Sequence, residues 1–294
     1  MKIQPIDKRI CILGEGPVWH PETKSIYWID IVERKIHGFS PETARSSTIE
    51  VDSMIGSFAF CDDGRMIAAL QKGLYFIDAQ TGEKEWIGDP ESQLKKNRFN
   101  DGKCDPAGRF WAGTLPLSED HPGGSMYRVD QDLSIHKIFG NCTISNGLCW
   151  SHDHQYFYFI DTPTLRVDRF DYENISGSLS NRTTVIQIDP REGYPDGMTI
   201  DADGMLWIAH WGGWQVSRWD PSTGQKIGSI DLPVSQVTSL CFGGENYDTL
   251  FITSASRGLR NASLLEEPLA GATFMVTDIP FKGTPFYTFQ TRSK

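Results

Sequence analysis

The chain has 294 residues, of which 39 % are hydrophobic, 22 % charged and 12 % aromatic, with 28 Gly and 16 Pro. That composition excludes a disordered chain and suits many short strands joined by tight turns. A formal net charge of −10 disfavours a nucleic-acid partner, and the one basic cluster, Lys95-Lys96-Asn97-Arg98, is small.

No apolar run approaches the roughly 18 residues of a membrane span, so no membrane partner is expected. Met1-Lys2-Ile3-Gln4-Pro5 lacks an apolar signal core, so a cytoplasmic location is expected. Six cysteines (Cys11, Cys61, Cys104, Cys142, Cys149 and Cys241) form no CxxC pair and read as buried, reduced thiols.

One unit recurs along the chain: an apolar strand, a turn rich in Asp, Gly and Pro, then an aromatic strand. The first copy runs from Gly16-Pro17-Val18-Trp19 to Ile26-Tyr27-Trp28-Ile29-Asp30. The second passes from Ser57-Phe58-Ala59-Phe60 through Asp62-Asp63-Gly64 to Met66-Ile67-Ala68-Ala69, and the third crosses Asp105-Pro106-Ala107-Gly108 to Phe110-Trp111-Ala112. The fourth links Gly147-Leu148-Cys149-Trp150 to Tyr156-Phe157-Tyr158-Phe159-Ile160. The fifth crosses Asp201-Ala202-Asp203-Gly204 to Leu206-Trp207-Ile208, and the last links Ser239-Leu240-Cys241-Phe242 to Leu250-Phe251-Ile252. Equating Trp19, Phe60, Cys104, Trp150, Ile200 and Phe242 gives a period of roughly 41 to 50 residues, about one four-stranded blade.

No long segment has the 3.6-residue apolar period of a helix. The expected fold is therefore all-β, a six-bladed β-propeller of four-stranded blades, forming one domain over residues 1–294. An unpaired N-terminal strand would be a liability. Its simplest partners are strands around Ala272-Thr273-Phe274 and Tyr287-Thr288-Phe289.

Four polar motifs stand before the innermost strand of different blades: Gly14-Glu15-Gly16-Pro17, Arg98-Phe99-Asn100-Asp101-Gly102, Ser145-Asn146-Gly147 and Tyr194-Pro195-Asp196-Gly197. In a propeller such positions converge at one mouth of the central channel. Their oxygen donors suit a hard divalent cation, whereas no His or Cys joins them to make a zinc-finger-like set. Asn-Gly and Asp-Gly are also ordinary turn dipeptides, and any one alone reads more simply that way. Repetition at the same phase in four blades favours a site.

The segment Asn97-Arg98-Phe99-Asn100-Asp101-Gly102-Lys103 with Asp105-Pro106-Ala107-Gly108-Arg109, together with Ser145-Asn146-Gly147-Leu148 and Pro195-Asp196-Gly197-Met198, resembles the senescence-marker-protein/gluconolactonase/luciferin-regenerating-enzyme family. The likeness spans nearly the whole chain. It implies a six-bladed propeller that hydrolyses a sugar lactone with one divalent metal ion, Ca²⁺ favoured and Mn²⁺, Mg²⁺, Zn²⁺ or Fe²⁺ possible. It further implies Glu15, Asn146 and Asp196 as metal ligands, with Arg98 and Asn100 binding substrate. Asp101 is a further cation-binding candidate, although a turn-capping role is the stronger reading. The family's loop Glu has no clear counterpart in Leu115-Pro116-Leu117-Ser118-Glu119, which is shorter and different, so no substrate contact is expected there. His210, Trp211 and Trp214 are candidates for shaping the pocket, the tryptophans mainly by packing.

The expected chemistry is metal-assisted lactone hydrolysis, with Asp196 as the base for the attacking water and direct attack by hydroxide as the alternative. No Gly-x-Ser-x-Gly elbow supports a serine hydrolase. The main rival is a calcium-binding regulatory protein of the same family without relevant turnover. A protein-binding scaffold is disfavoured because it needs no acidic cluster at the channel mouth, and other electrophiles are open to a propeller-held metal. A monomer or small homo-oligomer is expected.

Overall fold

The recurring turns do more than reverse the chain. Asp105 Oδ1 accepts hydrogen bonds from the backbone N–H groups of Ala107 and Arg109, while its Oδ2 accepts from Trp111 Nε1 at 2.8 Å. Asp201 repeats the arrangement with Asp203, Met205 and Trp207. Gly108 and Gly204 close these turns at φ near +80°, where other residues are strained. Each turn therefore pins the indole of the following strand, and the repeated spacing becomes repeated tertiary structure.

The computed structural model describes residues 1–291; the last three residues of the expected span lie outside the described residues. Six antiparallel sheets of four strands are formed, one per repeat, giving the expected six-bladed β-propeller. The innermost strands are Gly14–His20, Ile55–Phe60, Asn97–Cys104, Ser145–Trp150, Tyr194–Ile200 and Val237–Gly243. Each packs beside the innermost strand of the next blade, and the ring closes between the first and the sixth. Among the described residues, helix is confined to Asn261–Glu266 and two short 3₁₀ turns, Thr162–Thr164 and Pro190–Glu192. None of the described helices is long and apolar enough to cross a membrane.

The core is divided among the blade interfaces. Ile29 and Ile36 of the first blade meet Phe58 and Met66 of the second, while Trp111 and Met126 of the third meet Leu148 and Phe157 of the fourth. Trp19 and Trp28 join Cys241 and Phe251 across the closing interface. Burial of each such side chain contributes about 1.5–3 kcal/mol, so the ring is held at every interface. All six cysteines are buried and free of disulfides.

Closure follows one of the two expected partners and not the other. Lys2–Pro5 pairs antiparallel with Phe274–Thr277 as the outermost strand of the sixth blade. Phe289 instead makes a parallel bridge with Cys61, its N–H donating to Phe60 O at 2.9 Å. The sixth sheet already has its fourth strand, and Phe289 is fully buried beside Phe76 of the second blade.

The four polar motifs lie inside the innermost strands, not before them. Pairing slips between Glu15 and Val18, Phe99 and Gly102, Ser145 and Leu148, and Pro195 and Met198. A β-bulge locally interrupts the ladder and re-aims side chains, which is how strand residues come to face the channel mouth.

Candidate functional site

Glu15, Asn146 and Asp196, each buried, line one cavity of about 350 Å³ together with Arg98 and Asn100. They arrive from the bulges of four blades. Thr162 and Pro163, at the start of the 3₁₀ turn, and the side chains of Tyr194 and Trp211 form part of the wall. A cavity of about 390 Å³ is also lined by Trp19, Phe60, Asp101, Lys103 and Tyr287, but by none of the five site residues.

Amide orientation is set by a chain of hydrogen bonds. Arg98 Nη1 donates to Asn100 Oδ1 at 2.6 Å and to Phe99 O at 3.0 Å. Asn100 Nδ2 donates to Ser145 O and to Asn146 Oδ1, at 2.7 and 2.8 Å. Asn146 Nδ2 donates to Thr162 Oγ1, whose hydroxyl donates to Pro195 O, each at 2.8 Å. The carbonyl oxygen of Asn146 therefore points toward the blade of Asn100 and keeps a second lone pair. Gly147 lets the fifth blade close in behind it, since a Cβ there would lie 2.8 Å from Asp196 O and 2.7 Å from Met198 N.

The two carboxylates are in a contrasting state. Glu15 Oε2 accepts one hydrogen bond, from Gly16 N at 2.9 Å, and neither Glu15 nor Asp196 has an ion pair among the described residues. Burial holds both carboxyls well above the usual carboxylate range, reinforced by the charge of Asp196 and Asp101 on Glu15, and of Asp101 and Glu119 on Asp196. Asp101 is not the turn cap expected of it: it is buried at the bulge of the third inner strand, and burial raises its carboxyl to about 6.

The structure brings Glu119, on the loop where no substrate contact was expected, to the cavity wall. It sits in the turn between the second and third strands of the third blade with φ +57°, and it lines the cavity. Its Oε1 lies 3.6 Å from Arg98 Nη2 and 2.9 Å from Arg257 Nη1. Trp211 also lines the cavity, whereas Trp214 does not and His210 is fully buried with its Nε2 2.5 Å from Ser217 Oγ. Thr162 and Arg257 were not singled out from sequence; both lie outside the repeated inner-strand motif.

Comparison with known proteins places the chain in a family. The family model described as SMP-30/Gluconolactonase/LRE-like region matches residues 13–256, and the chain belongs to that family. Regucalcin of Bos taurus is 36 % identical over 294 residues, with 98 % of each chain covered. A solved luciferin-regenerating enzyme superposes with a TM-score of 0.93 at 30 % identity, over 98 % of this chain and 99 % of that one. A calcium-binding protein, regucalcin, from Agrobacterium tumefaciens gives the same TM-score and identity over 97 % and 96 %. A function of lactonase or regucalcin type follows from this membership.

The residues present fit a divalent cation of the kind that the family implies. Two buried carboxylates whose charges oppose each other, with an amide oxygen beside them, are a hard-oxygen donor set in need of positive charge. Among the described residues no cluster of three or more His, Cys, Asp or Glu is placed to hold a metal, so a site here would depend on the amide as its third donor.

Proposed function

We propose that this protein hydrolyses a sugar lactone to the aldonic acid, with Glu15, Asn146 and Asp196 holding one divalent ion. The observation that carries the reading is the convergence, in one cavity, of two buried carboxylates with no ion pair among the described residues, an oriented amide and a buried guanidinium. When bound, the ion would polarise the lactone carbonyl and offset charge developing on its oxygen.

The chain's own groups supply the rest. Asp196 takes a proton from water as the water oxygen bonds to the carbonyl carbon. The bond from that carbon to the ring oxygen then breaks, and the proton held by Asp196 passes to the ring oxygen, which becomes a hydroxyl and leaves Asp196 ionised again. Burial and negative neighbours raise the proton affinity of Asp196, while a bound cation would draw it back toward an ordinary carboxylate. Arg98, locked to Asn100 through Nη1, presents its remaining N–H donors to the substrate's hydroxyls, a forked guanidinium suiting paired oxygens, while Asn100 Oδ1 keeps a second lone pair to accept from a substrate hydroxyl.

A calcium-binding regulator would use the same donors without turnover. The deciding experiment is chelation and desalting, then assay of freshly dissolved aldonolactones by proton release, with and without added Ca²⁺ or Mn²⁺. Activity that disappears with the ion and returns with it is expected. Full activity in metal-free protein would overturn the metal assignment, and ion binding without hydrolysis of any lactone would favour the regulator.

A further inference from the structure

The rim of the cavity carries more positive charge than a neutral sugar requires. Arg98 and Arg257 approach the same oxygen of Glu119, so two guanidiniums share one carboxylate. Arg98 spends its remaining contacts on neutral acceptors, Phe99 O and Asn100 Oδ1. Arg257 contacts Glu119 through Nη1 alone; its other nitrogens donate to no group among the described residues, and its side chain is 44 % exposed while still lining the cavity. At the floor, two carboxylates would balance a divalent ion. One positive charge is then left at the rim, with free, forked donors.

We propose that the preferred substrate is a sugar lactone bearing a second oxyanion, a carboxylate or a phosphate monoester, at the end remote from the lactone carbonyl, and that Arg257 binds it. This rests on the lactonase reading above. A planar guanidinium whose Nε–H and Nη2–H groups are unused matches an oxyanion bidentately along that edge, whereas a neutral hydroxymethyl group would leave those donors to water. Glu119 holds Arg257 over the cavity without neutralising the pair, because Arg98 draws on the same oxygen. The substrate would then be read at two ends: its carbonyl at the floor between Glu15 and Asp196, its oxyanion at the rim.

The test uses three lactones that differ only at the terminal carbon, bearing a hydroxymethyl, a carboxylate or a phosphate group, and the three acids formed from them. Calorimetry on the ion-loaded full chain gives the affinity for each acid independently of turnover. Wild-type protein should bind at least one of the two acids that carry a second anionic group about tenfold more tightly than the singly anionic one, the low end for a charged hydrogen bond at a partly exposed site. Which anion is favoured separates carboxylate from phosphate. Arg257→Gln, which keeps a donor for Glu119 but loses the charge, should shrink that preference to within about threefold, and added salt should weaken it in the wild type.

Equal affinity for all three acids, or an undiminished preference in Arg257→Gln, would overturn the inference by leaving Arg257 a mere support for Glu119. A kcat/KM for the neutral lactone equal to or above both others would also overturn it, with the lactonase reading intact. A preference in binding with no lactone hydrolysed would overturn the lactonase reading and leave the oxyanion subsite standing.

Discussion

Every blade carries the same interruption in its innermost strand, yet only four put chemistry there. The first, third, fourth and fifth place Glu15, Asn100, Asn146 and Asp196 at or beside the break in register. In the second and sixth, pairing slips between Ile55 and Ser57 and between Val237 and Ser239, where the unpaired residues are Gly56 and Thr238. A Cβ on Gly56 would lie 2.3 Å from Phe99 O and 2.6 Å from Asn100 N. Thr238 turns its hydroxyl to Gly14 O at 2.6 Å, beside Glu15. The two quiet bulges thus serve their neighbours: one by having no side chain, the other by tying down a backbone. The backbone device belongs to the fold, and the side chain placed on it decides whether it faces solute or neighbour.

The sharpest way to break this comparison is to remove chemistry from a loaded bulge while keeping its shape. Asp196→Asn retains one ligating oxygen and the fit of the fifth blade. A cooperatively folded protein with weaker ion affinity is expected, and with the ion saturating, turnover should fall at least about a hundredfold, the low end for lost general-base help. Near-wild-type turnover on a fresh lactone would put Asp196 among the quiet residues.

The carboxylates also make a stability prediction of definite sign. Glu15 is held above its ordinary value by burial and by Asp196 and Asp101, so the folded, ion-free protein binds more protons than the unfolded chain from about pH 4 upward. Stability from this group is full below the unfolded value and is lost as pH rises through the folded one. Glu15→Gln removes that loss. In chelator, its Tm should exceed that of the wild type at pH 7, with the gap closing toward pH 4; adding a divalent ion should favour the wild type. A Tm gap in chelator that does not change with pH would show that Glu15 is not held as a strained acid.

The blades were legible in the sequence because their signals are local. Asp105 and Asp201 fix their turns through backbone groups two and four residues away, and the Trp that each pins is six residues on. The placement of Glu15, Asn100, Asn146 and Asp196 in one cavity was legible from their common phase. The bulges were not: a polar residue beside Gly carries the same signature in a turn as in a register break, so the motifs read as preceding the strands. Glu119 was discounted and Arg257 missed for another reason. They sit on connections outside the repeat, 138 residues apart, and meet only through loop conformations such as the left-handed φ of Glu119. Periodicity carries no information about such loops.

Gly56→Ala tests a quiet bulge by giving it a side chain. The new methyl would press on backbone of the third blade, which cannot yield as a flexible side-chain tip can. Overpacking of this kind costs about 1–3 kcal/mol, and thermal unfolding should register it as a lower Tm. Because the displaced strand carries Asn100, whose amide donates to Asn146 Oδ1, ion affinity should weaken as well. A fall in Tm with ion affinity intact would mean that the second blade supports the fold without positioning the site.

The smallest effect is expected at Thr238, and it separates the two quiet bulges from each other. Its hydroxyl is fully buried, donates to Gly14 O and lies 2.9 Å from the hydroxyl of Thr253. Thr238→Val keeps the branched shape but leaves that carbonyl without this donor, at a cost of about 1–2 kcal/mol for an unmet buried group. The Glu15 carboxylate does not depend on this bond: its own hydrogen bond comes from Gly16, and Gly14 is also paired opposite Asp30 in the first blade. Stability should therefore fall while divalent-ion affinity, measured by titration, stays within about twofold of wild type, a difference of roughly 0.4 kcal/mol. A larger loss of affinity would mean that the sixth blade positions Glu15 through Gly14, and that its bulge belongs with the four that carry the site.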